Sequence, residues 1–329
     1  MSPKLSIIIP FYNVEKYIGE CLDSVYHQDV PEDEYEVICV NDCSPDHSRD
    51  ITLQYQQKHS NLILIEHEKN KMLGAARNTG LKAARGEYVW FIDSDDYIVN
   101  NVLGTIFSIL NKNKVDIICF DCFRNFNEEI NHFHPDSINI IEKKGITFLN
   151  EYFNNNFLIF SSSSKIISLN FLINKHFEFQ EGVFFEDADL SLKLLYFASH
   201  VIYLPYSIYY YRINNNSIIL SNYSGKKYAD MIKVASRKID FYKEIQNEAP
   251  LLALKIKKDG CWNATSIKKI VFLNSKERKK FYQEIQLKDN SNLIKELKGY
   301  YRFFLSYPRF TQLILFFVSP IARILKRLK

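Results

Sequence analysis

The chain reads as an α/β fold, a mostly parallel sheet with helices on both faces, followed by a helical C-terminal extension. Three observations predict it. Over the first 120 residues, short apolar runs alternate with segments of helical spacing. The runs Leu5–Pro10 and Tyr88–Ile92 lack the in-and-out alternation of a half-solvated strand, so their sheet is covered on both faces. Charge is split: residues 225–329 hold 24 Lys and Arg against 9 Asp and Glu, a balance of +15, whereas residues 1–224 carry −11. Such a division implies two jobs, and it sets the expected domains at 1–222 and 223–329. With 329 residues, 47% of them hydrophobic, the chain can bury a full core in the first of these.

The elements follow in order. Leu5–Pro10 is a buried strand, and Glu15–His27 places Tyr17, Ile18, Cys21, Leu22 and Val25 at helical spacing. Tyr35–Val40 is a second strand, ending on Asn41-Asp42. Pro45 opens a polar helix running to about Lys58. Leu62–Ile65 is a third strand, and Leu73–Ala84 a helix stopped at Gly86. Tyr88–Ile92 is the next strand, Val102–Leu110 a helix and Asp116–Phe120 a strand. Residues 121–185 are irregular and rich in Asn and Phe. Helical periodicity returns at Phe184–Phe197, with Glu186 and Asp187 in its first turn, where the helix dipole favours carboxylates. Val201–Leu204 and Ile208–Arg212 read as two short strands, and the rest is basic and helical.

The run Tyr-Val-Trp-Phe-Ile ends abruptly on Asp93-Ser-Asp95-Asp96. Carboxylates at the end of a buried strand are costly unless a cation offsets them, and hard oxygen ligands in Asp-x-Asp spacing suit Mg²⁺ or Mn²⁺. The competing reading is a solvated turn, with Asp96 capping a helix near Asn100. Asn13 and Asp42 also follow strands, and in doubly wound sheets the carboxyl ends of the strands form the binding rim. The six cysteines lack paired metal-ligand spacing apart from Cys119-x-x-Cys122, which lies in an apolar run and reads as core rather than zinc. Scattered thiols and no signal peptide point to the cytoplasm.

Four blocks in this order resemble family 2 glycosyltransferases of the GT-A fold, a Rossmann-like architecture. They are Ser6-Ile-Ile-Ile-Pro-Phe-Tyr-Asn13, Val40-Asn-Asp-Cys-Ser-Pro-Asp46, Asn70-Lys-Met-Leu-Gly-Ala-Ala-Arg-Asn78 and Phe91-Ile-Asp-Ser-Asp-Asp96. The resemblance covers roughly residues 4–220. It implies a nucleotide-sugar donor held by Pro10, Tyr12, Asn13, Asp42, Asn70, Arg77 and Asp93. It implies a metal, Mn²⁺ or Mg²⁺, on Asp95 with Asp93. It also implies a catalytic base at Asp187 beside Glu186, and a diphosphate contact from Arg212 and Ser217. Cys43 and Met72 stand where the family prefers glycine, and no Trp precedes Lys165.

Plainer readings stand beside these roles. Tyr12 can be a core tyrosine, Arg77 can pair with a surface carboxylate, and Asp42 can be part of an Asn-Asp turn. Glu186-Asp187 can be a helix N-terminal pair, and Arg212 a surface salt bridge. The expected function is inverting, metal-dependent sugar transfer, with a UDP-sugar first among donors, to a saccharide or lipid-linked acceptor in cell-surface polysaccharide synthesis. A nucleotidyltransferase would want a Gly- and Lys-rich phosphate loop after the first strand, which Tyr12-Asn13-Val-Glu-Lys does not supply. A nucleic-acid binder would leave the acidic rim unexplained, so no nucleic acid is expected. In residues 310–329 an apolar stretch too short to span a bilayer is broken by Pro320 and followed by Arg323, Lys326, Arg327 and Lys329, which suits an anionic membrane surface. The expected location is therefore peripheral, on the inner face of the membrane, with packing of this tail on the body as the alternative.

Overall fold

Leu5–Phe11, seven buried residues in a row, form the first strand of the computed structural model. It describes residues 2–123, 138–213, 224–285, 290–307 and 311. The strands are β1 (Leu5–Phe11), β2 (Tyr35–Asn41), β3 (Leu62–Glu66), β4 (Tyr88–Phe91), β5 (Tyr97–Ile98), β6 (Ile117–Phe123), β7 (Ile141–Lys143), β8 (Lys165–Ser168) and β9 (Val201–Tyr210). Among the described residues they make one sheet in the order β3-β2-β1-β4-β8-β6-β9-β5, with β7 added on β9. The first four strands are mutually parallel, with Ile8 beside both Ile38 and Phe91, so their carboxyl ends share one edge. From β8 onward the pairing is mixed: β8 is antiparallel to β4 and β6, whereas β6 and β9 are parallel.

The helices α1 (Ile18–Tyr26), α2 (Ser48–Lys58), α3 (Leu73–Ala83), α4 (Leu103–Lys112), α5 (Gly145–Tyr152), α6 (Asn156–Phe160), α7 (Leu169–Asn174) and α8 (Leu190–Phe197) accompany this sheet. One cluster joins Ile7, Ile9 and Trp90 of the sheet with Ile18, Leu22 and Val25 of α1 and Ile106 and Leu110 of α4. Burying so many large apolar side chains is the main stabilising term, roughly 1.5–3 kcal/mol each. Pro10 sits beyond the last pairing of β1 with β4, where β1 has only β2 as a neighbour.

Three expectations are corrected. The two short strands expected at 201–212 are one strand, β9. Its ladder with β6 jumps from Phe120–Leu204 to Asp121–Ser207, so Pro205 and Tyr206 lie at an irregularity that made the sequence look broken. The stretch 145–174, which looked irregular, holds α5, α6, β8 and α7. The helix expected from residue 184 begins only at Leu190, so Glu186 and Asp187 lie on the loop before it rather than in its first turn.

By contacts the chain divides into Met1–Gly182 with Glu186–Asn214, and Val183–Phe185 with Asn215–Lys329. The second unit contains α9 (Gly225–Ile245), α10 (Pro250–Ala264), a 3-10 segment (Thr265–Phe272), α11 (Ser275–Glu284), α12 (Ser291–Glu296) and α13 (Gly299–Ser306). Asn274 caps α11 by accepting from Glu277 N–H at 2.9 Å. Ile232, Ala235 and Ile239 of α9 pack with Ala264, Ile267, Ile270 and Phe281. Gly260 lets α10 approach α9 closely, since a Cβ there would meet Ala235 O at 3.2 Å. Ser217 and nearly all of the tail at 310–329 lie outside the described residues. No helix among the described residues is long and apolar enough to cross a membrane.

Candidate active site

The loops that leave β1, β2 and β4 begin on the same edge of the parallel half-sheet. Asn13 takes φ 57° after β1 and donates its N–H to Ser44 Oγ at 3.2 Å, tying the first loop to the second. Tyr12 beside it is 48% exposed, which removes the core reading. Asp42 is buried at the end of β2. It accepts from Lys71 N–H at 2.8 Å and lies 2.7 Å from His67 Nδ1, while His67 Nε2 lies 2.8 Å from Thr79 Oγ1. This buried chain fixes the Asp42 carboxylate in a way a plain turn does not require. Nothing in the sequence spacing pointed to His67 or Thr79. Asn70 is exposed, and its Oδ1 accepts from Met72 N–H at 3.2 Å.

The acidic loop after β4 is held from β9. Tyr209 O–H donates to Asp96 Oδ2 at 2.5 Å and accepts from Asp93 N–H at 3.2 Å. Arg212 N–H donates to Asp96 Oδ1 at 2.8 Å, and its Nε donates to Asp95 O at 2.9 Å. Asp96 is therefore an anchor between β4 and β9. It does not cap the following helix, whose N-cap is Val102. Burial and the neighbouring Asp93 and Asp95 hold the Asp96 carboxyl well above its ordinary range. The Arg212 guanidinium lies over the rings of Tyr17 and Tyr97, at 5.2 and 5.5 Å, and reaches Glu20 Oε2 at 2.6 Å.

Arg77 joins the two acidic segments. Its side chain is 2% exposed, so the surface-pair reading does not hold. Nη2 donates to Asp93 Oδ1 at 2.6 Å, and Nη1 donates to Glu186 Oε1. Two residues of α3 bring Glu186 there. Asn78 binds the backbone of Phe179 on both sides, donating to its O and accepting from its N–H, each at 2.9 Å. At Gly74 a Cβ would lie 2.3 Å from Gln180 O, so only glycine admits the loop this close. The block Gly74-Ala-Ala-Arg-Asn78 is thus a platform for the loop that carries Glu186 and Asp187.

Burial raises Glu186 to about 7 against the opposing pull of Arg77, with Asp187 adding to the rise. Burial raises Asp187 too, while Arg77, Ser162 N–H and Lys165 pull it down. Asp187 keeps partial access to solvent, and its Oδ2 accepts from Ser162 N–H at 3.3 Å. Lys165 stiffens that turn from below: its buried Nζ donates to Leu158 O at 2.8 Å and Ser161 O at 2.5 Å. Burial lowers this ammonium to about 8.

The donor set on the rim fits a hard divalent cation. Asp95 and the 26%-exposed side chain of Asp93 offer carboxylate oxygens at the edge of the core. Among the described residues no three His, Cys, Asp or Glu side chains gather as a metal cage. The protein's share would be one or two carboxylates, the rest coming from diphosphate and water, the usual mode for Mg²⁺.

A parallel half-sheet with an acidic carboxyl edge, continued by a mixed half that returns Glu186-Asp187 to that edge, defines the GT-A class of glycosyltransferase fold. A family model described as Glycosyl transferase family 2 matches residues 6–175. The poly(ribitol-phosphate) β-glucosyltransferase of Bacillus spizizenii is 47% identical over 115 residues, 35% of this chain and 18% of that protein. The glycosyltransferase EpsJ of Bacillus subtilis is 30% identical over 245 residues, 74% of this chain and 70% of that protein. Residues 1–349 of Staphylococcus aureus TarS, solved with UDP-GlcNAc, superpose with a TM-score of 0.66 at 25% identity, over 95% of this chain and 89% of that one. The chain belongs to glycosyl transferase family 2. It spans about a fifth of the length of the B. spizizenii relative.

Proposed function

We propose that this chain transfers a sugar, with inversion, from a nucleoside diphosphate sugar to a hydroxyl of a saccharide or lipid-linked saccharide acceptor in cell-surface polysaccharide synthesis. A UDP-sugar is the first candidate, in keeping with the UDP-GlcNAc bound by the similar TarS structure. The polysaccharide role rests on the poly(ribitol-phosphate) relative. One observation carries the reading: a single buried guanidinium, Arg77, links Asp93 on the donor side to Glu186 on the acceptor side.

Pro10, Tyr12 and Asn13 line the nucleotide, with Asp42 hydrogen-bonding the base and Asn70 near the ribose. Asp95 with Asp93 would hold Mn²⁺ or Mg²⁺, which when bound neutralises charge developing on the leaving diphosphate. Arg212 contacts the diphosphate, a role shared with Ser217, which lies outside the described residues. Asp187 takes the proton of the acceptor hydroxyl as that oxygen bonds to the anomeric carbon and the bond from that carbon to the diphosphate oxygen breaks. Its raised affinity for protons suits a base that must hold a proton through the transition state. Glu186, braced on Arg77, positions it. The boundary near residue 222 separates this catalytic part from a basic part serving acceptor or membrane. The tail at 310–329 holds the enzyme peripherally at the cytoplasmic face. If so, neutralising Arg323, Lys326, Arg327 and Lys329 weakens sedimentation with anionic vesicles, and unchanged sedimentation removes the role.

A thermal-shift screen of nucleotide sugars in Mn²⁺ or Mg²⁺ tests the donor reading, since ligands of the native state raise its melting temperature. A UDP-sugar should raise it in metal and much less in chelator. No stabilisation by any nucleotide sugar, or equal stabilisation in chelator, contradicts the corresponding part.

A further inference from the structure

Helix α10 shows one uncovered face. Leu252, Ala253, Ile256, Gly260 and Ala264 are buried against the rest of the second unit. On the opposite side Leu251, Leu254, Lys258 and Trp262 recur at spacings of three, four and four residues, which places them on one stripe. Leu251 is 77% exposed, Leu254 46% and Trp262 71%. A soluble surface scatters large apolar side chains singly, whereas three in line on one helix mark a docking face.

The charges around the stripe say what it meets. Lys258 lies on it, Lys255 flanks it, and the exposed Lys269 follows in the 3-10 segment. The one acid of α10, Asp259, is turned inward to Lys238 Nζ at 2.6 Å. Lys257 is drawn aside to Glu296 at 2.6 Å. A second copy of this chain would bring two regions of +15 together, and residues 310–329 contain no acidic residue to complement the lysines. Anionic lipid supplies both halves of the match, headgroup phosphates for Lys258 and an apolar boundary for Leu251, Leu254 and the indole of Trp262. We infer that this stripe docks α10 on an anionic membrane surface. The inference rests neither on sugar transfer nor on the tail.

The two tryptophans make the test direct. Trp90 is fully buried, its indole N–H donating to Ser163 O at 2.9 Å, and gives a constant background. Full-length protein is titrated with phosphatidylglycerol–phosphatidylcholine vesicles and with pure phosphatidylcholine vesicles. Trp262 emission should shift to the blue, lose iodide quenching on the anionic vesicles alone, and return at high salt. Leu251→Ser should lower partitioning at least about tenfold, the change expected for withdrawing one large apolar side chain from lipid. Vesicle binding with unchanged Trp262 emission overturns the inference, as does equal partitioning onto phosphatidylcholine or no binding at all. A blue shift without vesicles that grows with protein concentration also overturns it, in favour of a second copy.

Discussion

Met72 and Cys43 occupy left-handed backbone, at φ 70° and 62°, in the loops that precede α3 and follow β2. Side chains with a Cβ are strained there, by roughly 1–3 kcal/mol at the least populated conformations. Both residues hold a backbone conformation that glycine adopts most easily, and the surrounding fold keeps them in it. Met72→Gly should raise unfolding stability by about 1 kcal/mol in urea titrations, less than the full strain because glycine also loosens the unfolded chain. His67 holds the Asp42 carboxylate from behind. His67→Phe should raise KM for the donor several-fold with little change in kcat, whereas a purely structural role would lower stability and leave KM alone. Glu186 gives a pH signature. Its native pKa of about 7 lies above the ordinary 4.5, so the native state favours the protonated form. The stability this brings is complete below about 4.5 and is lost as pH rises through about 7. Glu186→Gln cannot ionise, so the stability of wild type minus variant should fall across that window. A constant difference in denaturant titrations would contradict the shift.

Helix α3 acts as a bearing between the sheet and the loop of Glu186 and Asp187. A Cβ at Gly80 would lie 2.4 Å from Ile8 Cγ2 on the sheet side, and one at Gly74 2.3 Å from Gln180 O on the loop side. The two alanine variants should separate. Gly80→Ala overpacks the core and should cost about 1–3 kcal/mol of stability. Gly74→Ala should displace the loop and lower kcat at least about tenfold while donor binding persists, read by single-turnover assay and calorimetry. The strands and helices up to β6, apart from the two-residue β5, were legible because each buried strand is a short apolar run and each helix keeps its period. The later elements were not. In 145–174 aromatic and Asn residues blur the period, and Pro205 splits β9 at its irregular pairing with β6. Asp96 was misread because its partners, Tyr209 and Arg212, lie more than a hundred residues away. The same distance hid the part Asn78 plays in placing Glu186.

At the scale of the whole chain, residues 1–224 carry −11 and residues 225–329 carry +15, while contacts divide the chain into Met1–Gly182 with Glu186–Asn214 and Val183–Phe185 with Asn215–Lys329. Nothing in composition could show which face of α10 is uncovered, because that depends on how α9 and the 3-10 segment cover the other. The central claim is that Asp187 removes the acceptor proton while the rim carboxylates hold the donor. Steady-state transfer from the UDP-sugar found by the screen, measured for wild type and Asp187→Asn with donor affinity determined in parallel, tests it most directly. The account predicts a fall in kcat of about 10²–10⁴, the usual contribution of a general base, with donor affinity within a few-fold of wild type. An Asp187→Asn enzyme that transfers sugar at near wild-type rate with normal donor binding would contradict it.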